Sequence, residues 1–410
     1  MKIAINGAGI AGPALAFWLS KWGHDVLLIE LAPQLRSGGY VIDFWGLGYD
    51  LAEKMGLLPQ ILDAGYQVHE VRFVNRHSRK CGGFPVADLA AMTKGRFTSL
   101  RRSDLAASIY GAVESRIETL FGDSISTIRE DENGVEVAFD HAAPRKFDLV
   151  VGADGLHSQV RRIVFGADSN FEFSLGYHVA AFEVEGYRPR DELVYLGHNL
   201  PGRQISRLSM REDKTLFLLV FRDEYLSGPE PASDGERKAA LTQIFSGAGW
   251  EWERIRALLP TVSNLYFDHV SQIRMDRWTK GRTALIGDAA ACVSLLAGEG
   301  TGLAMTEAYI LAGELRHSGN NFAPAFKRYE ERLMPFLKRK QQAAVAFAPA
   351  FFPKTSAGIA FRNLVTRLLS IPAVAEFFIG RNVRDDFTIP DYGFQSEPNN
   401  PQADIFCSGR

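Results

Sequence analysis

MKIAINGAGIAGPALAFWLSKWGHDVLLIE, residues 1–30, decides the fold. Lys2–Asn6 is a short apolar strand, Ile10–Trp22 has helical spacing, and Val26–Glu30 is a second strand rich in β-branched residues and leucine. Buried parallel strands read as continuous apolar runs, so the pattern predicts a βαβ unit. Its first turn is Gly7-Ala8-Gly9-Ile10-Ala11-Gly12. Gly7 permits the tight turn, Gly9 lets the backbone approach a pyrophosphate, and Gly12 lets helix pack on strand. Ile10 and Ala11 open the helix, whose N-terminus offers unpaired N–H groups and partial positive charge to phosphate. Glu30 stands about 20 residues on, where a carboxylate hydrogen-bonds a ribose hydroxyl and repels a 2′-phosphate. The turn therefore suits FAD or NAD and disfavours NADP.

The same stretch also outlines a secretory leader, with Lys2 before the uncharged run Ile3–Ser20 and Ala14-Leu15-Ala16 as a mimic of a cleavage site. Asn6, Gly7, Gly9 and Gly12 break the apolar block, which favours strand, turn and helix. Composition supports an ordinary soluble protein in two or three units: 410 residues, 46% hydrophobic, 23% charged, formal net charge −2. No global field draws in nucleic acid or an anionic membrane. Cys81, Cys292 and Cys407 form no CxxC pair, which argues against a disulfide framework or a metal site and fits a cytoplasmic protein. The apolar region Ala343–Gly380 is interrupted by Pro349, Pro353, Lys354, Arg362, Arg367 and Pro372. It falls short of the roughly 18–20 apolar residues that span a bilayer. Packed C-terminal helices are expected there, with surface docking through Phe347, Phe351 and Phe352 as the lesser reading.

Along the chain, helices are expected at Leu47–Leu57, Ser103–Val113 (capped by Ser103 or Asp104), Thr301–Leu315 and Asn320–Arg339. Strands are expected at Val68–Asn75, Phe147–Val151 and Thr283–Ile286, with a hairpin of Ile125–Arg129 and Gly134–Phe139. Between Phe171 and Ile273 the pattern changes to alternating strands, Leu193–Leu196, Gln204–Met210 and Leu216–Phe221. A loop at Ser227–Gly235 and a helix follow. The whole reads as an α/β Rossmann-type FAD-binding domain with an inserted, mainly antiparallel β-sheet substrate domain and C-terminal helices. The expected division is 1–68, 96–170 and 276–340 for the FAD-binding parts, 69–95 and 171–275 for the substrate domain, and 341–410 for the C-terminal region.

Two later motifs point to the dinucleotide. Asp148-Leu149-Val150-Val151-Gly152-Ala153-Asp154-Gly155, with Ser158 and Arg161, resembles the DG motif of class A flavoprotein monooxygenases, the p-hydroxybenzoate hydroxylase-like enzymes. Ala284-Leu285-Ile286-Gly287-Asp288-Ala289-Ala290, followed by Gly298-Glu299-Gly300, resembles their GD motif, and Arg102-Ser103-Asp104-Leu105 their R-x-x-L element. The elements stand in family order over most of the chain, and the similarity extends to the tetracycline-inactivating members. The resemblance implies FAD as cofactor, NADPH or NADH as transient co-substrate, and hydroxylation of a small aromatic or polyketide-like substrate by O2 through a flavin C4a-hydroperoxide. It places Asp288 on the ribityl chain and Gly298, Gly300 and Thr301 at the pyrimidine edge. Asp154 packs FAD and guards nicotinamide access, Arg102 or its neighbour Arg101 supplies fixed positive charge, and Arg36 meets FAD phosphate or the incoming NAD(P)H. Gly39 permits close approach in the loop that leads to Asp43 beside the ring or substrate. The family's histidine, proline and asparagine after the GD motif are replaced by Ala291, Leu295 and Gly302. No second GxGxxG offers a separate nicotinamide domain.

Candidates for the substrate wall are Tyr195, Arg207, Met210 and Phe217, since alternation faces half of such residues inward. His178, His198 and His269 are candidate bases for a phenolic substrate. Trp250 and Trp252 read as helix-packing aromatics, despite a superficial likeness of Trp250-Glu251-Trp252 to a halogenase signature. A reductase or dehydrogenase of the same fold that transfers no oxygen is the alternative, and a flavin-holding scaffold without turnover the non-enzyme reading. Either a monomer or a homodimer is compatible.

Overall fold

The computed structural model describes residues 1–36, 40–319, 321–368 and 385–393. Gly38, Gly39, Cys407 and the Phe347 side chain lie outside the described residues. Lys2–Asn6 forms the middle of a six-stranded sheet, paired in parallel with Asp25–Glu30 on one side and Leu149–Gly152 on the other. Glu118–Phe121 extends the first side and Thr283–Leu285 the second. Successive strands thus leave the centre in opposite directions, and a crevice opens at their carboxyl ends, where this class of sheet binds ligands. Two helices, Ala11–Lys21 and Gly300–His317, pack together on this sheet, with Trp18 edge-on to Tyr309 at 5.1 Å.

The sequence reading misses Glu118–Phe121, a half-exposed edge strand without a continuous apolar run. It also merges two strands at Phe147–Val151: Arg145–Phe147 completes the small sheet of the Ile125–Asp131 and Gly134–Phe139 hairpin, and Leu149–Gly152 enters the large one. The helix expected from Ser103 starts at Arg102, and neither Ser103 nor Asp104 caps it: Arg101 is the N-cap, with no side-chain bond. The helix expected to stop at Arg339 runs from Phe322 to Phe351. Phe352 is buried and packs on Tyr177 at 6.0 Å, against the surface-docking reading. No helix among the described residues is long and apolar enough to cross a membrane.

A seven-stranded sheet joins segments distant in sequence. Its order is Tyr266–Ile273, Glu172–Glu185, Lys214–Arg222, Arg203–Ser209, Val194–Leu200, Glu70–Val74 and Lys80–Pro85. All its pairings are antiparallel except that of Val194–Leu200 with Glu70–Val74. Alternation gives it two faces. On the far face Phe182, Ile205, Phe217, Leu219 and Phe221 form a core with Leu241, Ile244, Trp252 and Ile255. These last four belong to the helices Asp234–Ile244 and Trp252–Leu258. Ser233 begins the first of these helices with a capping box closed by Glu236, which satisfies amide donors that would otherwise be orphaned. On the near face Ala181, Leu208, Met210 and Leu216 pack with Tyr40 and Val41 from the FAD-binding side.

Between these units lies a two-stranded ribbon, Val41–Trp45 paired with Phe97–Arg101. The sequence reading leaves the first of these as a loop. Five residues with Asp43 at the centre hide the alternation that buries Ile42 and Phe44.

Candidate active site

The glycines of the first turn divide into two kinds. A Cβ on Gly7 would lie 2.4 Å from the Ala153 carbonyl oxygen, and Gly7 has φ +109°. A Cβ on Gly12 would lie 1.9 Å from the Gly7 oxygen. Both glycines are therefore required by the protein's own packing. A Cβ on Gly9 would touch only the tip of Arg102, at 3.5 Å, an ordinary contact. Packing does not require glycine at position 9, but a closely approaching phosphate does.

Ile10 and Ala11 are buried at the start of the first helix. Glu30 is buried beside the turn and accepts the Ala8 N–H at 2.8 Å and the Ala32 N–H at 3.0 Å. A carboxylate has about four acceptor sites, so capacity remains for a ribose hydroxyl. Arg36 stands at the rim with its Nε 3.7 Å from Glu30. Of the two adjacent arginines, Arg102 is the one that reaches the turn. Arg101 lies instead 4.0 Å from Glu183. Asp154 accepts from Asn6 Nδ2 at 2.9 Å, Ser158 Oγ at 2.5 Å and the Gln159 and Val160 amides at 2.8 and 3.1 Å. Its carboxylate thus ties the end of the central strand to the helix Gln159–Phe165. One loop on, His157 bonds Asp268 at 3.1 Å, and this bond raises the imidazole pKa above its usual value.

The distant GD segment arrives at the same place. Gly287 has φ +63°, and a Cβ on it would meet Ala11 at 3.1 Å. Asp288 starts a short helix, and its carboxylate lies 3.7 Å from where a Gly300 Cβ would stand. Gly298, with φ +71°, faces Trp45, and Thr301 lies in the first turn of the helix Gly300–His317. Glu299 turns away from this helix to Lys340, which also binds Asp385 at 2.9 Å. Asp385 in turn accepts the Leu47 N–H at 3.0 Å. The glycine turn, the GD turn and the Gly298–Gly300 loop therefore converge on one crevice.

The departures from the family pattern acquire a local account. A Cβ on Gly48 would lie 2.7 Å from the Gly302 Cα, so the helices Gly46–Met55 and Gly300–His317 cross backbone to backbone where the family has asparagine. Ala291 is buried in the main core, and Leu295 packs on the cluster around Tyr177 and Val179.

Beside the crevice runs a cleft walled by the near face. Tyr40 and Tyr266 stand 5.7 Å apart, ring centre to ring centre. Tyr195 faces Ser206, and burial pushes its phenol up to about 12. Asp43 keeps accessible surface although protein surrounds it, which marks a cleft wall. Desolvation raises its carboxyl pKa, and the Ser99 hydroxyl, which donates to it at 2.6 Å, opposes that rise. Met210 is fully buried in the near-face cluster and borders a cavity of about 520 Å³ beyond Tyr66.

Arg207 and Phe217 are corrections, since both point to the far face. Phe217 meets Tyr187 edge-on at 4.9 Å. Arg207 is buried against Glu251 at 2.8 Å and Asp191 at 2.8 Å. Three histidines are equally remote. His178 binds Asp223 and Glu230, His198 bonds the Val74 and Ala248 carbonyls, and His269 binds Glu172. Alternation predicts that half of these residues face away without saying which half. Sequence reasoning passes over Tyr40, Tyr266 and Ser99, whose neighbours are set by tertiary pairing. It also passes over Glu307, which does carry a signal: an acid inside the largely apolar run Leu303–Gly313.

Comparison with known proteins agrees with this geometry. Residues 1–340 match the family model described as FAD binding domain. A flavin-dependent monooxygenase from Legionella longbeachae is 32% identical over 360 residues, 86% of this chain and 90% of its own length. An uncharacterized protein of Mycobacterium tuberculosis is 37% identical over 345 residues, 83% of this chain and 91% of its own. Among solved structures, the tetracycline destructase Tet(51) superposes with a TM-score of 0.78 at 30% identity, covering 95% of this chain and 98% of its own. With a glycine turn open to phosphate, a GD turn beside it and a family match across both, the chain belongs to the class A FAD-binding monooxygenases, the family that includes the tetracycline destructases.

Proposed function

We propose that the chain uses NADH or NADPH and O2 to hydroxylate a small planar substrate, aromatic or polyketide-like, on FAD. The observation that carries this reading is the convergence of the Gly7–Gly12 turn and the Gly287–Asp288 turn on one crevice, with Tyr40 and Tyr266 near enough to Asp288 and Arg102 to feel their charge. When bound, FAD would supply the redox chemistry, by which hydride from the nicotinamide reduces O2 so that one oxygen atom reaches the substrate and the other leaves as water. The chain's part is to hold, orient and shield. Ile10, Ala11 and the amides around Gly9 bind the pyrophosphate with Arg102, and Glu30 takes the ribose. Arg36 stands at the rim for phosphate or nicotinamide, and Asp154 fixes the turn. Asp288 binds the ribityl hydroxyls, and the amides of Gly298, Gly300 and Thr301 meet the pyrimidine edge, where a helix N-terminus favours the negative charge of reduction.

Tyr40, Tyr195, Tyr266 and the aliphatic near face exclude water and offer phenol hydroxyls to a planar ligand. Asp43 is the group placed to take a proton from a phenolic or enolic hydroxyl, which would enrich the carbon to be attacked.

The test is NAD(P)H oxidation against a panel of hydroxylated aromatics, quinolines and tetracyclines, with peroxide measured and isotopically heavy O2 supplied. One heavy oxygen atom in the product is the expected result. Substrate turnover with no label incorporated would assign the scaffold to a reductase or dehydrogenase instead.

Asp288→Ala supplies a narrower check. Loss of a charged hydrogen-bond acceptor costs about 1.5–3 kcal/mol. FAD retention should therefore weaken by roughly tenfold or more, with far-UV circular dichroism unchanged. Undiminished retention would reduce Asp288 to the first residue of a turn.

A further inference from the structure

Glu307 lies in the middle of the helix Gly300–His317 and is 1% exposed. Its Oε2 accepts the Gly287 N–H at 2.8 Å. The Ile286 N–H makes the last bond to the sheet, to the Gly152 carbonyl at 2.9 Å. Gly287 is thus the first donor past the sheet edge, and without Glu307 its buried N–H would lack the acceptor it has here. The turn it anchors is a demanding one. Gly287 has φ +63° and ψ −144°, and a Cβ on it would be hemmed by Ala11 and Ala304 at 3.1 and 3.5 Å. The Tyr329 hydroxyl, on the helix Phe322–Phe351, bonds the Leu285 carbonyl at 3.0 Å and Glu307 at 3.2 Å, which fixes the carboxyl from behind. No Lys, Arg or His pairs with Glu307 among the described residues. The titratable groups that face it are Asp288 and Tyr329.

We propose that Glu307 is a positioning residue that clamps the Gly287 peptide so that the turn presents Asp288 to the cofactor. The inference rests on the reading that Asp288 binds FAD. Desolvation first, and then the Asp288 carboxylate, hold the Glu307 carboxyl well above the usual carboxylate range. A neutral carboxyl still accepts the Gly287 N–H while sparing the turn a second negative charge beside Asp288. The sign of the pH effect follows. The folded state keeps the proton that the unfolded chain gives up at an ordinary glutamate pKa. The stability contributed by this proton is full below the ordinary glutamate pKa and is lost as pH rises from that value through the raised one. FAD grip, a property of the folded chain, falls only as pH passes the raised value.

The test compares the native chain with Glu307→Gln and Glu307→Leu. FAD dissociation constants are read by flavin fluorescence at mildly acidic and at alkaline pH, and circular dichroism reports the folded fraction. Gln keeps a carbonyl for Gly287 and cannot ionise. Its affinity should match the native chain in acid and lose less in alkali. Leu removes the acceptor, and its FAD affinity should fall about tenfold at every pH. A Gln variant with the native pH slope, or a folded Leu variant with native affinity, overturns the proposal. If the Leu variant does not fold, the Gln slope decides alone. A native chain that takes up no flavin would instead bring down the cofactor reading itself, a failure visible before any variant is compared.

Discussion

Gly9→Val should give a folded, soluble and colourless protein. The expectation comes from the contrast within one turn. Gly7 and Gly12 meet their own backbone at 2.4 and 1.9 Å if given a Cβ, whereas Gly9 meets only an arginine tip at 3.5 Å. A branched side chain at position 9 therefore leaves the apoprotein intact and fills the space through which the pyrophosphate would approach. Loss of close backbone contact together with steric overlap should raise the FAD dissociation constant by at least about 100-fold, the equivalent of about 2.7 kcal/mol. The measurement is visible flavin absorbance per mole of folded chain after incubation with excess FAD. Gly12→Ala serves as the opposite control and should fail at folding. A Gly9→Val protein as yellow as the native one would show that the cradle lies elsewhere.

Glu251→Ala should produce the second large effect, on stability and not on the cofactor. Glu251 accepts from Arg207 Nε at 2.8 Å, Arg207 Nη2 at 3.2 Å and the Tyr187 hydroxyl at 2.8 Å. Arg207 is 2% exposed and lies within 6.0 Å of the Tyr187 and Trp250 rings. Truncating the acid strands most of a buried guanidinium's donors and a buried phenol together, since among the described residues only Asp191 remains as an anionic partner. Breaking a buried pair in this way costs about 3–5 kcal/mol, whereas replacing both partners by apolar groups costs far less. Denaturant unfolding should therefore show a large loss for Glu251→Ala and substantial recovery when Arg207→Met is added. FAD content per folded chain should not change, because the pair is on the sheet face away from the crevice. A loss below about 1 kcal/mol would mean that water reaches the pair.

The sequence makes some of this legible and hides the rest, for physical reasons. The opening strand, turn and helix are legible because each glycine has a local geometric duty and the apolar runs are local. The inserted sheet is visible in the alternation of Gln204–Met210 and Leu216–Phe221. Which face each residue takes is not visible. Arg207 and Met210 belong to one run, yet one is paired with acids on the far face and the other is packed on the near face. Tyr40 and Tyr266 are brought together by tertiary pairing alone. The same holds for Gly48 and Gly302, the second of which reads as a departure from the family until the helix crossing explains it. Glu307 is passed over in the sequence although it interrupts an apolar run, and only its contact with Gly287 shows what it does.

The parallel seam between Val194–Leu200 and Glu70–Val74, and the late arrival of Thr283–Leu285 beside Leu149–Gly152, govern the order in which the molecule can assemble. The phosphate turn belongs to the first strand and helix, whereas its proposed partner at Gly287–Asp288 follows in the chain only after the whole inserted sheet. Such long-range closures are slow to form. On the proposed reading, cofactor capture waits for that closure, and flavin supply acts on a chain already folded through Asp288.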